Sequence, residues 1–213
     1  MAYSGAMAAV FLKTLFTMII VIDPVGLVPV FLSLTHGFDD KKRRGTLITA
    51  VVAAFFILGL FIAAGAPLLS FLGVSPGAFF VSGGILLLLM SIDMLYGKAR
   101  RSQNDNPAAT EESANVAIFP LAIPMLAGPG AITTIMLYMS SGDSPLATGA
   151  VLIAAVLITL GLAAASMLAS KAIFKLIGKI GVTVLERIMG LLLSGLAVQF
   201  IYRGLSILGV IKA

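Results

Sequence analysis

Asp23 is the one ionisable residue near the middle of any long apolar run in this sequence, and it opens the motif Asp23-Pro24-Val25-Gly26. A carboxylate at such a depth can face a substrate ammonium, bind a coupling cation, or take up a proton if desolvation raises its pKa. It can also be structural, because Asp before Pro is a strong helix N-cap with proline at the first helical position. The residues leave these roles open, singly or combined. A second cluster, Pro120, Pro124 and Gly128-Pro129-Gly130, interrupts another apolar run and leads into Ala131-Ile132-Thr133-Thr134. Proline lacks an N–H and clashes with the preceding turn, and glycine admits dihedrals closed to other residues, so both clusters release backbone groups from helical pairing. In hydrocarbon each such group costs several kcal/mol unless it faces protein, water or ligand. A helix restarting at Gly130 presents free N–H groups and a positive dipole end, which suits a carboxylate. A proline kink closed by neighbouring helices is the alternative for either cluster alone.

Little else in the chain could do chemistry. With no cysteine, disulfides, thiolate catalysis and zinc–thiolate sites are excluded. A single histidine, His36, and nine carboxylates argue against a metal enzyme, and no Ser/His or paired-aspartate constellation lies within the apolar runs, so no enzyme, metal or cofactor is expected.

The elements that must position these clusters follow from composition. Of 213 residues 60% are apolar and only 11% charged, against about 25% charged in an ordinary soluble domain. Six apolar stretches, near 7–33, 46–72, 76–97, 116–140, 146–170 and 182–209, are each long enough to cross the ~30 Å hydrocarbon core as a helix. The expectation is an all-α polytopic membrane protein, one transmembrane domain over 1–213. The first span does not read as a cleavable signal, since Lys13 and Asp23-Pro24 interrupt it.

Basic residues fall on alternate connections: Lys41, Lys42, Arg43 and Arg44; Lys98, Arg100 and Arg101; Lys171, Lys175 and Lys179, with Arg187 just inside span six. These are eleven of the fourteen basic residues, and the intervening connections, Gly73–Ser75 and Ser141–Pro145, have none. The net charge of +5 therefore sets orientation rather than marking nucleic acid. The basic loops should lie inside and both termini outside, in a prokaryotic inner or plasma membrane. Tyr3, Tyr96, Tyr138 and Tyr202 fall near span ends, where amphipathic rings prefer to sit.

The polar stretch 98–115 separates a first half, 1–97, from a second, 116–213, each of three spans. Both halves open with a broken span, about 105 residues apart, and the Leu-rich runs after Gly83-Gly84 and Gly190 match weakly at an offset of 107. Three is odd, so related halves would insert in opposite directions, the inverted-repeat plan in which interrupted helices at matching places mark a midplane substrate site. Other polar residues have simpler expectations. Asp93 near the inner end of span three and Arg203 near the outer end of span six lie on opposite sides, so each snorkels or meets a local partner; Glu186 and Arg187 form an interfacial pair; His36 is a solvated loop residue in preference to a proton relay; Gln199 packs between helices in preference to lining a cavity. Gly161, Ala165 and Ala169, and Gly190 with Ser194, repeat at four residues, as close helix packing would require.

Three long motifs resemble the MarC family of integral membrane proteins: Asp23-Pro24-Val25-Gly26 through Pro29-Val30-Phe31-Leu32-Ser33-Leu34-Thr35; Phe119-Pro120-Leu121-Ala122-Ile123-Pro124 through Gly128-Pro129-Gly130-Ala131-Ile132-Thr133; and Arg187-Ile188-Met189-Gly190 through Val198-Gln199-Phe200-Ile201. The likeness covers essentially the whole chain. It implies six spans with discontinuous first and fourth helices and, for the family's characterised branch, transport of small neutral amino acids such as glycine and alanine, coupled to an ion gradient. Leu27 stands where many relatives have Asn, which removes a candidate polar contact.

The resulting expectation is a secondary transporter of a small zwitterion, driven by a proton or sodium gradient. Gly128, Pro129, Gly130, Ala131 and Thr133 would hold the carboxylate; Asp23, Pro24 and Gly26 would face the ammonium or the coupling ion, with Asp23 the candidate coupling residue. The partners are then a small amino acid, the ion and the lipid bilayer; an oligomer is compatible with the sequence. The competing readings are an exporter of amino acids or small metabolites and a non-transporting membrane subunit whose breaks serve only packing.

Overall fold

The computed structural model describes residues 2–96, 116–141 and 144–211; the expected linker 98–115, with its three basic residues, lies outside them. The described residues form helices joined by short turns: α1 (Ala2–Ile22), α2 (Leu27–Leu34), α3 (Asp40–Phe71), α4 (Pro76–Tyr96), α5 (Ala117–Leu126), α6 (Pro129–Ser141), α7 (Pro145–Leu168) and α8 (Ser170–Ile207). Four helices are long and apolar enough to span a bilayer. Two further spans form if each bent pair counts as one, Ala9–Ile22 with Leu27–Leu34 bent by 43° and Ala117–Leu126 with Pro129–Ser140 bent by 46°. Spans one and four are thus broken where proline and glycine fall.

Local chemistry sets the helix starts. The Asp39 carboxylate accepts the Lys42 N–H at 2.6 Å and so caps α3. Ser75 accepts the Ala78 N–H at 3.2 Å, ahead of Pro76 at the first position of α4. Between α3 and α4 the chain turns through Gly73 at φ 67°, a conformation glycine adopts without penalty.

One connection differs from expectation. The basic segment after span five is not a loop, because α8 already begins at Ser170 and breaks only at Gly178, at φ 68°. Lys171 and Lys175 share one face of its first two turns while Leu176, at 88% exposure, and Phe174 lie elsewhere around it, so the segment can be amphipathic at an interface and need not unwind.

Among the packing pairs are α1 with α7 and α5 with α3; α2 with α8 and α6 with α4; α2 with α7 and α6 with α3; and then α3 with α7 and α4 with α8. Replacing every element by its counterpart in the other half exchanges the first six in twos and returns the last two unchanged, whereas α1 with α6, α1 with α8, α6 with α7 and α7 with α8 also pack without an equally extensive counterpart. The most extensive contact, α4 on α8, is antiparallel and built on small residues every seven positions: Gly77 against Gly204, Gly84 against Ala197, Ser91 against Gly190. A Cβ on Gly84 would lie 2.8 Å from the Ala197 carbonyl oxygen, so only glycine permits this approach.

The stripe Gly161, Ala165 and Ala169, expected to pack closely, is instead exposed on α7, and a Cβ at Gly161 would meet nothing. Gln199 is exposed on α8 as well, not packed between helices. In a bilayer apolar faces gain as little from a neighbouring helix as from lipid, so small-residue spacing alone does not say which face is covered. Large apolar side chains such as Phe56 (70% exposed) and Leu60 (57%) cover the outside, as lipid contact requires.

Candidate functional site

At the first break α1 stays hydrogen-bonded as far as the Asp23 N–H, which donates to the Ile19 carbonyl at 2.9 Å. Asp23 then takes φ 51°, the left-handed region, where aspartate is more readily accommodated than most residues. Its Oδ1 accepts the Gly26 N–H at 3.0 Å, so the side chain caps the turn that starts α2. The carboxylate fills the space over Gly26, where a Cβ would fall 2.0 Å from Oδ2, so any side chain at position 26 would displace it. The Pro24 carbonyl, which helical pairing cannot use, lies 2.6 Å from Ser166 Oγ on α7. That hydroxyl also lies 2.9 Å from the Ala163 carbonyl, and its one proton is shared between the two. Asp23 itself is 5% exposed.

The second break is longer. Phe119 (φ −130°, ψ 119°) and Ile123 (φ −126°, ψ 124°) are extended inside α5, each preceding a proline, the setting that disfavours helical dihedrals. Both X-Pro bonds, 119–120 and 123–124, are cis. Pairing resumes with the Ala127 N–H on the Ala122 carbonyl at 2.8 Å and the Ile132 N–H on Gly128 at 3.1 Å. Gly128 has no room for a side chain, since a Cβ would meet the Pro124 carbonyl oxygen at 2.2 Å. Gly130 and Ala131 occupy the first turn of α6, where N–H groups precede any carbonyl of their own helix that could accept them. The Thr133 hydroxyl donates to the Pro129 carbonyl at 2.7 Å and Thr134 to Gly130 at 2.8 Å, and both side chains are buried.

The two breaks come together. A Cβ on Gly130 would lie 2.4 Å from Leu87 Cδ2 of α4 and 2.7 Å from Val21 Cγ1 of α1, two residues before Asp23. One on Gly83 would meet Thr133 Oγ1 at 2.0 Å. Asp23, Pro24, Gly26, Gly128, Gly130, Ala131 and Thr133 are all buried and Pro129 half-buried. Val21 and Leu87, both buried, pack against Gly130 where the breaks meet. A cavity of about 620 Å³ lies elsewhere, at the end of the bundle opposite the basic loops, between Ile62, Pro67, Met136, Met139, Ser140 and Pro145. None of the break residues lines it.

Sequence reasoning missed Ser166, Gly83, Val21 and Leu87, which contact the breaks from other helices. Their only signal was small or aliphatic character within apolar runs. Of the other polar residues named above, His36, Ser33, Asp93, Arg187 and Gln199 are exposed, and Thr35 is buried with its hydroxyl on the Phe31 carbonyl at 2.6 Å.

Residues 8–208 match the family described as MarC family integral membrane protein. The chain belongs to the MarC family. Similar proteins include a UPF0056 membrane protein of Methanocaldococcus jannaschii, 38% identical over 187 residues covering 87% of this chain and 90% of the relative. A UPF0056 membrane protein of Archaeoglobus fulgidus is 38% identical over 200 residues, 92% of each chain. The UPF0056 inner membrane protein YhgN of Escherichia coli (strain K12) is 34% identical over 188 residues, 88% of this chain and 92% of the relative. No solved structure matches at a significant level. As a MarC family member the chain is an integral, multi-pass membrane protein, and its broken spans one and four coincide with two of the three motifs that carry the resemblance.

Proposed function

We propose that this MarC protein is a secondary transporter of small neutral amino acids of the glycine and alanine type, coupled to a proton or sodium gradient, and not an enzyme. The reading rests on one observation: the two helix interruptions, far apart in sequence, meet across Val21, Leu87 and Gly130. Interrupted helices meeting from two halves are the form a midplane substrate site takes in transporters built from inverted repeats. The exchange of partners in eight of the twelve main packing pairs supports that plan here, with 1–97 and 116–213 inserted in opposite directions.

In this reading the first-turn N–H groups of Gly130 and Ala131, at the positive end of α6, receive the substrate carboxylate. Gly128 and Pro129 shape that terminus, and Thr133 lies one turn further on. Asp23 and the Pro24 carbonyl face the ammonium or the coupling cation, and Gly26 keeps the carboxylate close to the backbone. Leu87 and Val21 leave room only for small side chains once the site opens. The basic ends of α3 and α8, joined by Asp40 and Lys171 at 3.5 Å, face the cytoplasm by the positive-inside rule, which sets the termini outside. Direction of net movement follows the gradients, so export uses the same site.

The test is uptake or exchange of radiolabelled glycine and alanine by purified protein in liposomes, under imposed proton and sodium gradients. Accumulation that collapses with one gradient supports the reading and names the ion. No movement of any small amino acid under either gradient, from protein that remains folded, refutes it.

A further inference from the structure

The two ends of the bundle are closed to different degrees, although the same kinds of element meet at each. At the basic end these are the last turn of α7, the start of α8, the end of α2 and the start of α3. Exchanging halves gives the neutral end: the last turns of α3, the start of α4, the end of α6 and the start of α7. The neutral end holds the cavity of about 620 Å³, whose lining includes the buried Ile62 and Met136. Met136 is six residues beyond Gly130, about 9 Å along α6. A Cβ on Gly65 would lie 2.4 Å from the Met136 sulfur, so that part of the lining is a flexible thioether resting on glycine.

At the basic end the equivalent space is occupied. Arg43, 8% exposed, reaches inward from the first turns of α3 and donates from Nη2 to Ser170 Oγ. Ser170, wholly buried, in turn lies 2.6 Å from the Met167 carbonyl. The guanidinium carbon sits 5.1 Å from the centre of the Phe31 ring, itself wholly buried on α2. Three elements are thus tied through one cation, and Arg43 is the buried member of a basic run whose neighbours Lys41, Lys42 and Arg44 are exposed. The tie also lies in line with the first break: Ser170 is one turn beyond Ser166, whose hydroxyl meets the Pro24 carbonyl.

We propose that the cavity is the access vestibule through which a small solute approaches the breaks, and that Arg43, with Ser170 and Phe31, is the seal that shuts the path at the basic end. The structure then represents the state open toward the face opposite the basic loops. Opening the other way requires Arg43 to leave Ser170 and Phe31 while the ends of α3 and α6 close over Met136 and Ile62. This inference rests on the transport reading only for the identity of the solute. A guanidinium suits the seal because its planar fork can hold a hydroxyl and lie on an aromatic ring at once, which lysine cannot do equally well.

The chain contains no cysteine, so single thiols report cleanly on access. Met136→Cys reports on the vestibule, and Ala163→Cys, on a wholly buried position one turn deeper than Ser166, reports on the space behind the seal. With Arg43 in place, a membrane-impermeant thiol reagent applied to oriented vesicles should modify Met136→Cys from the neutral face and leave Ala163→Cys unmodified from both. Adding Arg43→Ala should raise the rate at Ala163→Cys from the basic face on the order of tenfold and lower that at Met136→Cys, because loss of the tie moves the population between two states. General loosening would raise both rates, and unchanged rates would show that Arg43 bears no seal; either result overturns the proposal. If Arg43→Ala does not fold, Ser170→Ala, which removes only the acceptor, should give the same reciprocal shift at several-fold size. Reciprocal rates with no amino acid moved in liposomes uphold the seal and refute the substrate. Transport of glycine or alanine without reciprocity refutes the seal alone.

Discussion

At Asp23–Gly26 the chain leaves helical pairing for a single turn and repairs the gap with side chains, whereas between Phe119 and Gly128 it turns extended at two separate residues, Phe119 and Ile123, and the backbone makes most of the repair. The first break is secured by a carboxylate over glycine and by a serine from α7 on the Pro24 carbonyl. The second is secured by close backbone approaches, Gly128 on the Pro124 oxygen and Ala127 on Ala122, with threonine hydroxyls bonded back to their own helix. A break specified by side-chain chemistry responds to changes of charge and hydrogen bonding. One specified by backbone approach responds to volume and little else.

The comparison can be broken most severely at Gly128. Gly128→Ala drives a methyl into a main-chain oxygen that cannot rotate away, and should cost about 3 kcal/mol, read as thermal unfolding in detergent. A midpoint within error of the parent would mean that the second break is not held by that contact.

Gly26→Ala should cost about 2 kcal/mol, since the intruding methyl displaces the Asp23 carboxylate and its cap. Here the obstacle is a side chain, so Asp23→Ala with Gly26→Ala should cost less than the two singles added together. Strict additivity would separate glycine from carboxylate.

Ser166→Ala should cost about 1 kcal/mol, the worth of one interhelical hydrogen bond in a membrane, because the Pro24 carbonyl loses its partner on α7. No loss would leave the carbonyl satisfied by other means.

The smallest change in stability belongs to the most informative substitution. Asp23→Asn keeps an acceptor for the Gly26 N–H and a residue tolerant of φ 51°, so unfolding should shift by less than about 0.5 kcal/mol. If the charge serves the solute or ion, liposome uptake falls at least tenfold while stability holds. Unchanged uptake reduces Asp23 to a cap.

Much of this was legible in the residues themselves. The six spans follow from apolar length, and their interruption at Asp23-Pro24 and at Gly128-Pro129-Gly130 follows from proline and glycine. The capping role of Asp23, one of the alternatives left open, is realised on Gly26. Arg43 was counted with its neighbours as a loop cation and is buried against Phe31 and Ser170, because a run of basic residues does not show which member turns inward. The Lys171–Lys179 segment was expected to be a connection, and α8 runs through it to Gly178. Gly77, Gly84 and Ser91 pack on α8 while Gly161, Ala165 and Ala169 face outward, although both sets are small and regularly spaced.

Proline and glycine act on the bonds of the next turn or two, so the sequence alone determined where helices one and four must break and that the chain must lie in a bilayer. Which helices close around those breaks was decided by tertiary packing. In lipid an apolar face gains little by choosing protein over acyl chain, and the choice falls to shape: the fit of Gly130 between Val21 and Leu87, of Ser166 on Pro24, and of one arginine between a ring and a hydroxyl.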